Sequence, residues 1–183
     1  MNVIEVTGAV TAELPDATLV ASLGTATSAV REVTGDGPHF YFGGAMGSAL
    51  AAAMGLAEAA PHRRVVAVLG DGETLMGAGS LWSLSAYRPA NLLVVVLADG
   101  AYSITGGQAI PVRPRLAEVA SALDGLAGAS AETPDELRER IGSLPWPAVI
   151  EARIGEPMWP GPSPFVDPAA VVRGVRDSVA RTG

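Results

Sequence analysis

The sequence predicts an α/β domain of three α/β/α layers built on a mostly parallel sheet, and three observations carry that prediction. Val-rich apolar runs occupy residues 65–69 and 92–97; they are too short for free-standing helices and lack the alternation of half-exposed strands, as strands buried on both faces require. Stretches of helical composition stand between the strands, and such alternation implies parallel pairing with helices on both faces. Each Val-rich run ends in an acid beside glycine, Gly70-Asp71-Gly72 and Ala98-Asp99-Gly100. Both acids therefore fall at the C-terminal edge of the sheet, where open parallel sheets bind ligands.

Taken in order, residues 1–16 read as a polar, mixed lead-in with one short helix. Residues 17–23 form the first strand and residues 39–42 a short second one. Residues 45–60 are Ala-rich, the composition of a helix, and Pro61 ends it. A strand at 65–69, a helix at 76–87 and a strand at 91–97 follow, then an irregular loop over 99–112 and a helix over 114–123. Thr133-Pro134-Asp135-Glu136 has the pattern of a helix start, with a capping hydroxyl, Pro at the first helical position and acids in the first turn. That helix runs to about residue 141, and residues 147–153 form the last strand. Residues 156–168 hold five prolines and one glycine, an extended arm, before a helix over about 168–181. The chain thus divides into a ligand-binding domain, 1–155, and a proline-rich arm with a C-terminal helix, 156–183. The arm suits docking onto another subunit, a free tail being the alternative.

Composition bounds the chemistry. At 183 residues the chain is one domain with room for a sizeable core. Hydrophobic residues make up 49% and charged residues 17%, which points to a surface partly buried against partners. No apolar stretch reaches the roughly 18 residues of a membrane span, and Glu5 and Glu13 near the start do not suit a signal peptide, so a cytoplasmic protein is expected. There is no cysteine, which excludes disulfides, thiolate metal sites and a Cys nucleophile. All twelve basic residues are Arg, which excludes a Schiff-base lysine. A net charge of −7 with scattered Arg argues against nucleic-acid binding. His39 and His62 read as surface or packing residues.

Two carboxylates at one sheet edge, with glycines that let backbone approach closely, suit a hard divalent cation bridging to a phosphate. Read alone, Asp71 is equally a helix cap or turn residue, and Asp99-Gly100 an ordinary turn.

The spacing resembles the thiamine-diphosphate motif, in which Gly-Asp-Gly is followed after about 24 to 27 residues by a pair of asparagines; the resemblance runs throughout residues 70–108. The segment Tyr41-Phe42-Gly43-Gly44-Ala45-Met46-Gly47-Ser48 is similar to the one that cradles the aminopyrimidine in that family. Leu19-Val20-Ala21-Ser22-Leu23-Gly24-Thr25 resembles its first strand and diphosphate loop. Three segments in the right order cover residues 17–155 and imply a thiamine-diphosphate-binding fold with thiamine diphosphate and Mg2+ as cofactors.

The resemblance implies a role for each residue. Asp71, Asp99 and the backbone carbonyl of Ala101 would be the metal ligands, with Asp99 in place of the family's second Asn and Ala98 in place of its first. Gly70, Gly72 and the backbone N–H of Glu73 would lie along the diphosphate. Glu73 itself departs from the family's usual small residue and is expected to point outward from a first helical turn. Gly24 and Thr25 would contact the diphosphate, although Thr25 also suits a helix cap. Gly44, beside Ala45, would offer its carbonyl to the pyrimidine amine, and Met46 would wedge beneath the cofactor and bend it, packing in the core being the alternative. Tyr102 and Ile104 would follow the metal loop, with Ile104 reaching the diphosphate through its N–H, and Thr105 would face the substrate beside the flexible Gly106-Gly107 pair.

Chemistry in this family also needs a Glu from a second, pyrimidine-binding domain. The implied assembly is a hetero-oligomer in which a partner subunit of similar size supplies that Glu. Gly44-Ala45-Met46-Gly47 and Tyr102-Ser103-Ile104-Thr105-Gly106-Gly107-Gln108 resemble segments of the sulfopyruvate decarboxylase beta subunit and of the C-terminal half of phosphonopyruvate decarboxylase. The implied reaction is decarboxylation of a small 2-oxo acid. A thiamine-dependent carboligase subunit and a non-catalytic scaffold paired with a catalytic paralogue are the alternatives.

Overall fold

A computed structural model describes residues 1–155 and 166–181. Its first half runs α1 (Val3–Glu13), β1 (Thr18–Ala21), α2 (Thr25–Thr34), β2 (Phe40–Tyr41), α3 (Ala49–Ala59), β3 (Val65–Gly70), α4 (Asp71–Met76), α5 (Gly79–Tyr87) and β4 (Leu92–Ala98). The second half adds β5 (Ala101–Tyr102), a single 3₁₀ turn at Ser103–Thr105, β6 (Gln108–Ala109), α6 (Leu116–Ser121), β7 (Ala127–Ala131), α7 (Pro134–Ser143), β8 (Ala148–Arg153) and α8 (Pro168–Ala180). Six strands pair in parallel in the order β2-β1-β3-β4-β8-β7, and β5 and β6 form a separate antiparallel hairpin. This is the three-layer α/β/α architecture that the alternation of elements predicts.

The central strands are buried on both faces, and their side chains divide by parity. Val66 and Val68 of β3 with Leu93 and Val95 of β4 meet α1, α2 and α7 in one core; Val65, Ala67 and Leu69 with Leu92, Val94 and Val96 meet α3, α5 and α6 in the other. The period of two along a strand sends successive side chains to opposite layers. Because both layers are apolar, the strand sequences are continuous Val-Leu runs.

Local chemistry fixes the helix ends. Thr133 caps α7 by accepting the Glu136 N–H at 3.2 Å, with Pro134 at the first position as expected. Asn2 and Glu5 form a reciprocal capping box on α1. That helix is more than a polar lead-in, since Val3, Val6 and Val10 are buried in the core at helical spacing. The helix expected over 76–87 is two helices, and the first begins at Asp71, directly after β3. The loop expected over 99–112 contains the β5–β6 hairpin. β7 has no counterpart in the sequence reading: its Ala-Gly-Ala-Ser-Ala carries no branched or aromatic residue. It is small because α6 lies on it, a Cβ on Gly128 falling 2.0 Å from the Ala117 carbonyl oxygen.

Most of the proline-rich arm, residues 156–165, lies outside the described residues. α8 starts on Asp167, which accepts the Ala169 N–H at 3.1 Å, and buries Val171 and Val175. Arg63 donates to the Ser178 carbonyl at 2.6 Å and to its hydroxyl at 2.7 Å, tying α8 to the body of the chain.

Candidate functional site

The connectivity creates a crevice between β1 and β3. After β1 the chain leaves through α2 toward β2, on one side of the sheet; after β3 it leaves through α4 and α5 toward β4, on the other. Neighbouring parallel strands whose following helices depart in opposite directions open a cleft at their carboxyl ends. Its volume, open mouth included, is about 640 Å3. Segments from the ends of β1, β3 and β4 meet there: Ser22, Leu23 and Thr25; Gly70, Gly72 and Glu73; Asp99, Ala101 and Tyr102.

Asp71, on the first turn of α4, is only 2% exposed. Its Oδ1 accepts the Gly72 N–H at 2.8 Å and its Oδ2 the Gly100 N–H at 2.9 Å, so one carboxylate ties the end of β3 to the loop after β4. Burial pushes the carboxyl up to about 6; the two backbone donors oppose the rise and the Asp99 carboxylate adds to it. Asp99 is held within its own loop, accepting the Ala101 N–H at 3.0 Å and the Ser103 hydroxyl at 2.8 Å. Two neighbouring carboxylates, one of them desolvated, form a donor set whose repulsion a hard cation would relieve. Among the described residues no cluster of three or more His, Asp or Glu stands ready to hold a metal, so any third protein ligand would be a carbonyl such as that of Ala101.

Across the cleft, α2 begins at Gly24 with φ of 71° and no side-chain cap. The Thr27 N–H is given to the Ser22 carbonyl at 3.1 Å, which leaves the N–H groups of Thr25 and Ala26 for an anion at the positive end of a ten-residue helix. Gly24 is also required sterically, because a Cβ there would fall 1.9 Å from Ile104 Cδ1. The Ile104 side chain, on the 3₁₀ turn of the hairpin, therefore packs directly over the start of α2. Tyr102 packs in the same way against Gly72, where a Cβ would meet its ring at 2.5 Å. Thr105 stands at the hairpin tip, donating to Gln108 Oε1 at 2.8 Å, while Gln108 donates back to the Thr105 carbonyl at 2.6 Å.

Met46 lines the cleft, half-buried, while Gly44 and Ala45 lie on the exposed stretch beside it, outside the lining. The Gly44 carbonyl accepts the Met46 N–H at 3.1 Å. Glu73 corrects the expectation of an outward-pointing acid. It is 5% exposed, and its carboxylate accepts the Gly47 N–H at 2.6 Å and the Ala49 N–H at 3.1 Å. The reason is α3, whose N-cap Ser48 makes no side-chain cap, leaving backbone donors that the acid satisfies. Ser22, Leu23, Ala26, Leu97 and Ser103 also line the cleft. Sequence reading did not single them out as site residues; only Ser103, four residues past Asp99, carried a usable signal. His39 lies elsewhere, its Nδ1 accepting the Leu19 N–H at 3.2 Å.

Comparison with known proteins agrees with this geometry. The family described as "Thiamine pyrophosphate enzyme, C-terminal TPP binding domain" matches residues 23–151. Phosphonopyruvate decarboxylase of Streptomyces viridochromogenes is 44% identical over 98 residues, which cover 53% of this chain and 24% of that protein. Sulfopyruvate decarboxylase subunit beta of Methanothermobacter thermautotrophicus is 36% identical over 105 residues, 57% of this chain and 56% of that subunit. The match thus spans from about a quarter to about half of the length of these relatives. The solved structure of a thiamine diphosphate-dependent 4-hydroxybenzoylformate decarboxylase from Rhodococcus jostii RHA1 shares the fold, with a TM-score of 0.66 at 23% identity, covering 84% of this chain and 32% of that one.

Proposed function

Because the chain belongs to the thiamine pyrophosphate enzymes and carries their C-terminal TPP binding domain, we propose that it is the diphosphate- and metal-binding half of a 2-oxo acid decarboxylase. The observation that supports this most strongly is the buried Asp71 carboxylate at the end of β3, just behind the cleft wall and bonded through Gly100 to the loop whose Asp99 lines the cleft together with Thr25 at the start of α2. The Asp99 carboxylate, with Asp71 behind it, and the Thr25 and Ala26 N–H groups at one crevice match the two charges of a metal diphosphate. Similarity to phosphonopyruvate and sulfopyruvate decarboxylases supports the 2-oxo acid.

Asp71, Asp99 and the Ala101 carbonyl would hold Mg2+, and the first N–H groups of α2 with the Thr25 hydroxyl would take the diphosphate. When bound, thiamine diphosphate supplies the electron sink for loss of carbon dioxide. Met46 would support the cofactor from the side of α3, and the Gly44 carbonyl has a lone pair left to accept from the pyrimidine amine. Tyr102 and Ile104 close the cleft over Gly72 and Gly24, and Thr105 would stand at the substrate's entry.

The complementary half, with the Glu that activates the pyrimidine ring, would come from a separate subunit, giving a hetero-oligomer. The name subunit beta borne by several relatives supports this, as do Met76, Trp82 and Tyr87, large apolar side chains left exposed on α4 and α5. The test is turnover of a panel of 2-oxo acids, including sulfonated and phosphonylated ones, by the chain with and without a pyrimidine-domain partner. Carbon dioxide release that requires both chains supports the reading; none with any partner and any acid overturns it.

A further inference from the structure

We propose that Glu73 is a positioning residue that fixes Met46 in the cleft, an inference that rests on the cofactor reading above. The Glu73 carboxylate accepts the N–H groups of Gly47, which immediately follows Met46, and of Ala49, the first residue of α3. The acid reaches them across 26 and 24 residues of sequence, doing from α4 what a capping side chain does locally. A second contact holds the same segment to α4: a Cβ on Gly77 would fall 2.3 Å from the Gly47 carbonyl oxygen, so the two backbones touch there. The chain just after Met46, Gly47 to Ala49, is therefore held to α4 at Glu73 and to its C-cap at Gly77.

What makes this clamp more than a helix cap is the position of its anchor. Two residues before Glu73 on α4, Asp71 holds the Asp99 loop through Gly100. Thr74 adds a bond from its hydroxyl to the Gly70 carbonyl at 2.8 Å, fixing α4 to the end of β3. One six-residue helix thus ties the carboxylate pair to the segment that carries Met46, and Glu73 is the side chain that makes the second connection. A side chain meant to brace a bound cofactor must be held by something stiffer than the exposed Gly44-Ala45 stretch beside it, since an error of about 1 Å in a reacting geometry can cost on the order of 100-fold in rate.

The test uses Glu73→Gln, which keeps one acceptor oxygen, and Glu73→Ala, which keeps none. Amide hydrogen exchange on the cofactor-free chain should show Gly47 and Ala49 exchanging about tenfold faster in E73A, less so in E73Q, with the β3 and β4 amides unchanged. Unchanged exchange at both amides in both variants overturns the clamp without reference to any cofactor; if E73A does not fold, E73Q alone decides. In the assembled enzyme, E73A should lower kcat by on the order of 100-fold while the affinity for Mg2+ and thiamine diphosphate moves less than about threefold. Combined with Met46→Ala, it should add little further loss, because both act through one side chain. Losses in kcat that multiply, or a lowered melting temperature with kcat intact, would reduce Glu73 to a structural cap. Failure of the unaltered chain to bind thiamine diphosphate in any assembly would instead sink the cofactor reading and this inference with it, a result separable from the exchange outcome.

Discussion

Asp71 and Asp99 stand at the ends of neighbouring strands, and the fold gives them different surroundings. Asp71 is buried with two backbone donors, Asp99 half-buried within its turn. Asp71→Ala should abolish Mg2+-dependent binding of thiamine diphosphate, measured by calorimetric titration. Asp71 must be ionised to ligate a metal, and its carboxyl is pushed up to about 6. Metal loading should therefore weaken as pH falls through about 6, because proton and metal compete for the same oxygens. Asp99→Asn removes a charge that adds to that rise, so it should move the loss to lower pH and preserve or strengthen affinity, by roughly 1 kcal/mol. A large loss of affinity in D99N would mean that the carboxylate itself is required.

His39 makes a separate prediction about stability. Its Nδ1 accepts the Leu19 N–H, and burial lowers the imidazole from 6.5 to about 4. The folded protein therefore binds the neutral ring, while the unfolded chain takes up a proton near 6.5. The stabilisation is complete above pH 6.5 and is lost progressively as pH falls toward 4. His39→Gln, which keeps an acceptor but does not titrate, should flatten the pH dependence of the melting temperature in that window. An unchanged profile would show that other groups set it.

At the scale of elements, α6 and the loop that leads into it are joined to the sheet by one buried acid. Glu151 on β8 is 2% exposed; its Oε1 accepts from Arg113 Nη2 at 2.6 Å and its Oε2 faces the Ala117 N–H at 3.4 Å. Arg113 is half exposed, and Arg153 Nε also lies 3.9 Å from Glu151 Oε1, so the acid keeps one cation when Arg113 is removed. Arg113→Ala should destabilise the protein by about 1 to 2 kcal/mol in urea unfolding, whereas Arg138→Ala, which breaks a surface pair with Asp135, should change little. Equal effects of the two would deny Glu151 its structural role.

Elements were legible where the sequence carried their physics locally. The Val-Leu runs of β3 and β4, the strand β8 and the Thr133-Pro134 start of α7 lie where predicted, within a residue or so. β7 escaped because its small residues answer to the backbone of α6, a tertiary demand with no periodicity. The Gly70-Asp71-Gly72 turn hid the start of α4 because glycines argue against a helix that the packing nevertheless forms. Within the site, the carboxylates, Met46 and the Thr25 loop were readable as motifs. The inward turn of Glu73 was not, because its partners lie more than twenty residues upstream and an acid in a first helical turn ordinarily faces solvent.

For the whole molecule, the cleft is built on one side by α2 and on the other by Met46, α4 and the chain from Ala101 to Thr105, and α8 packs back on the same chain through Val171, Val175 and the Arg63–Ser178 bonds. Among the described residues no helix is long and apolar enough to cross a membrane. If the pyrimidine half comes from a second subunit, mixing the two chains should give a closed hetero-oligomer, most simply two of each, seen as a single mass by light scattering. Activity appearing in the mixture but not in either component would accompany it.

The most direct test of the central claim is a calorimetric titration of thiamine diphosphate into this chain, with Mg2+ and with the metal chelated, for the unaltered protein and for Asp71→Ala. The account predicts saturable binding that requires Mg2+, is weak for the chain by itself and tighter with its partner, and vanishes in D71A. Binding that is indifferent to the metal, or that survives unchanged in D71A, would contradict it.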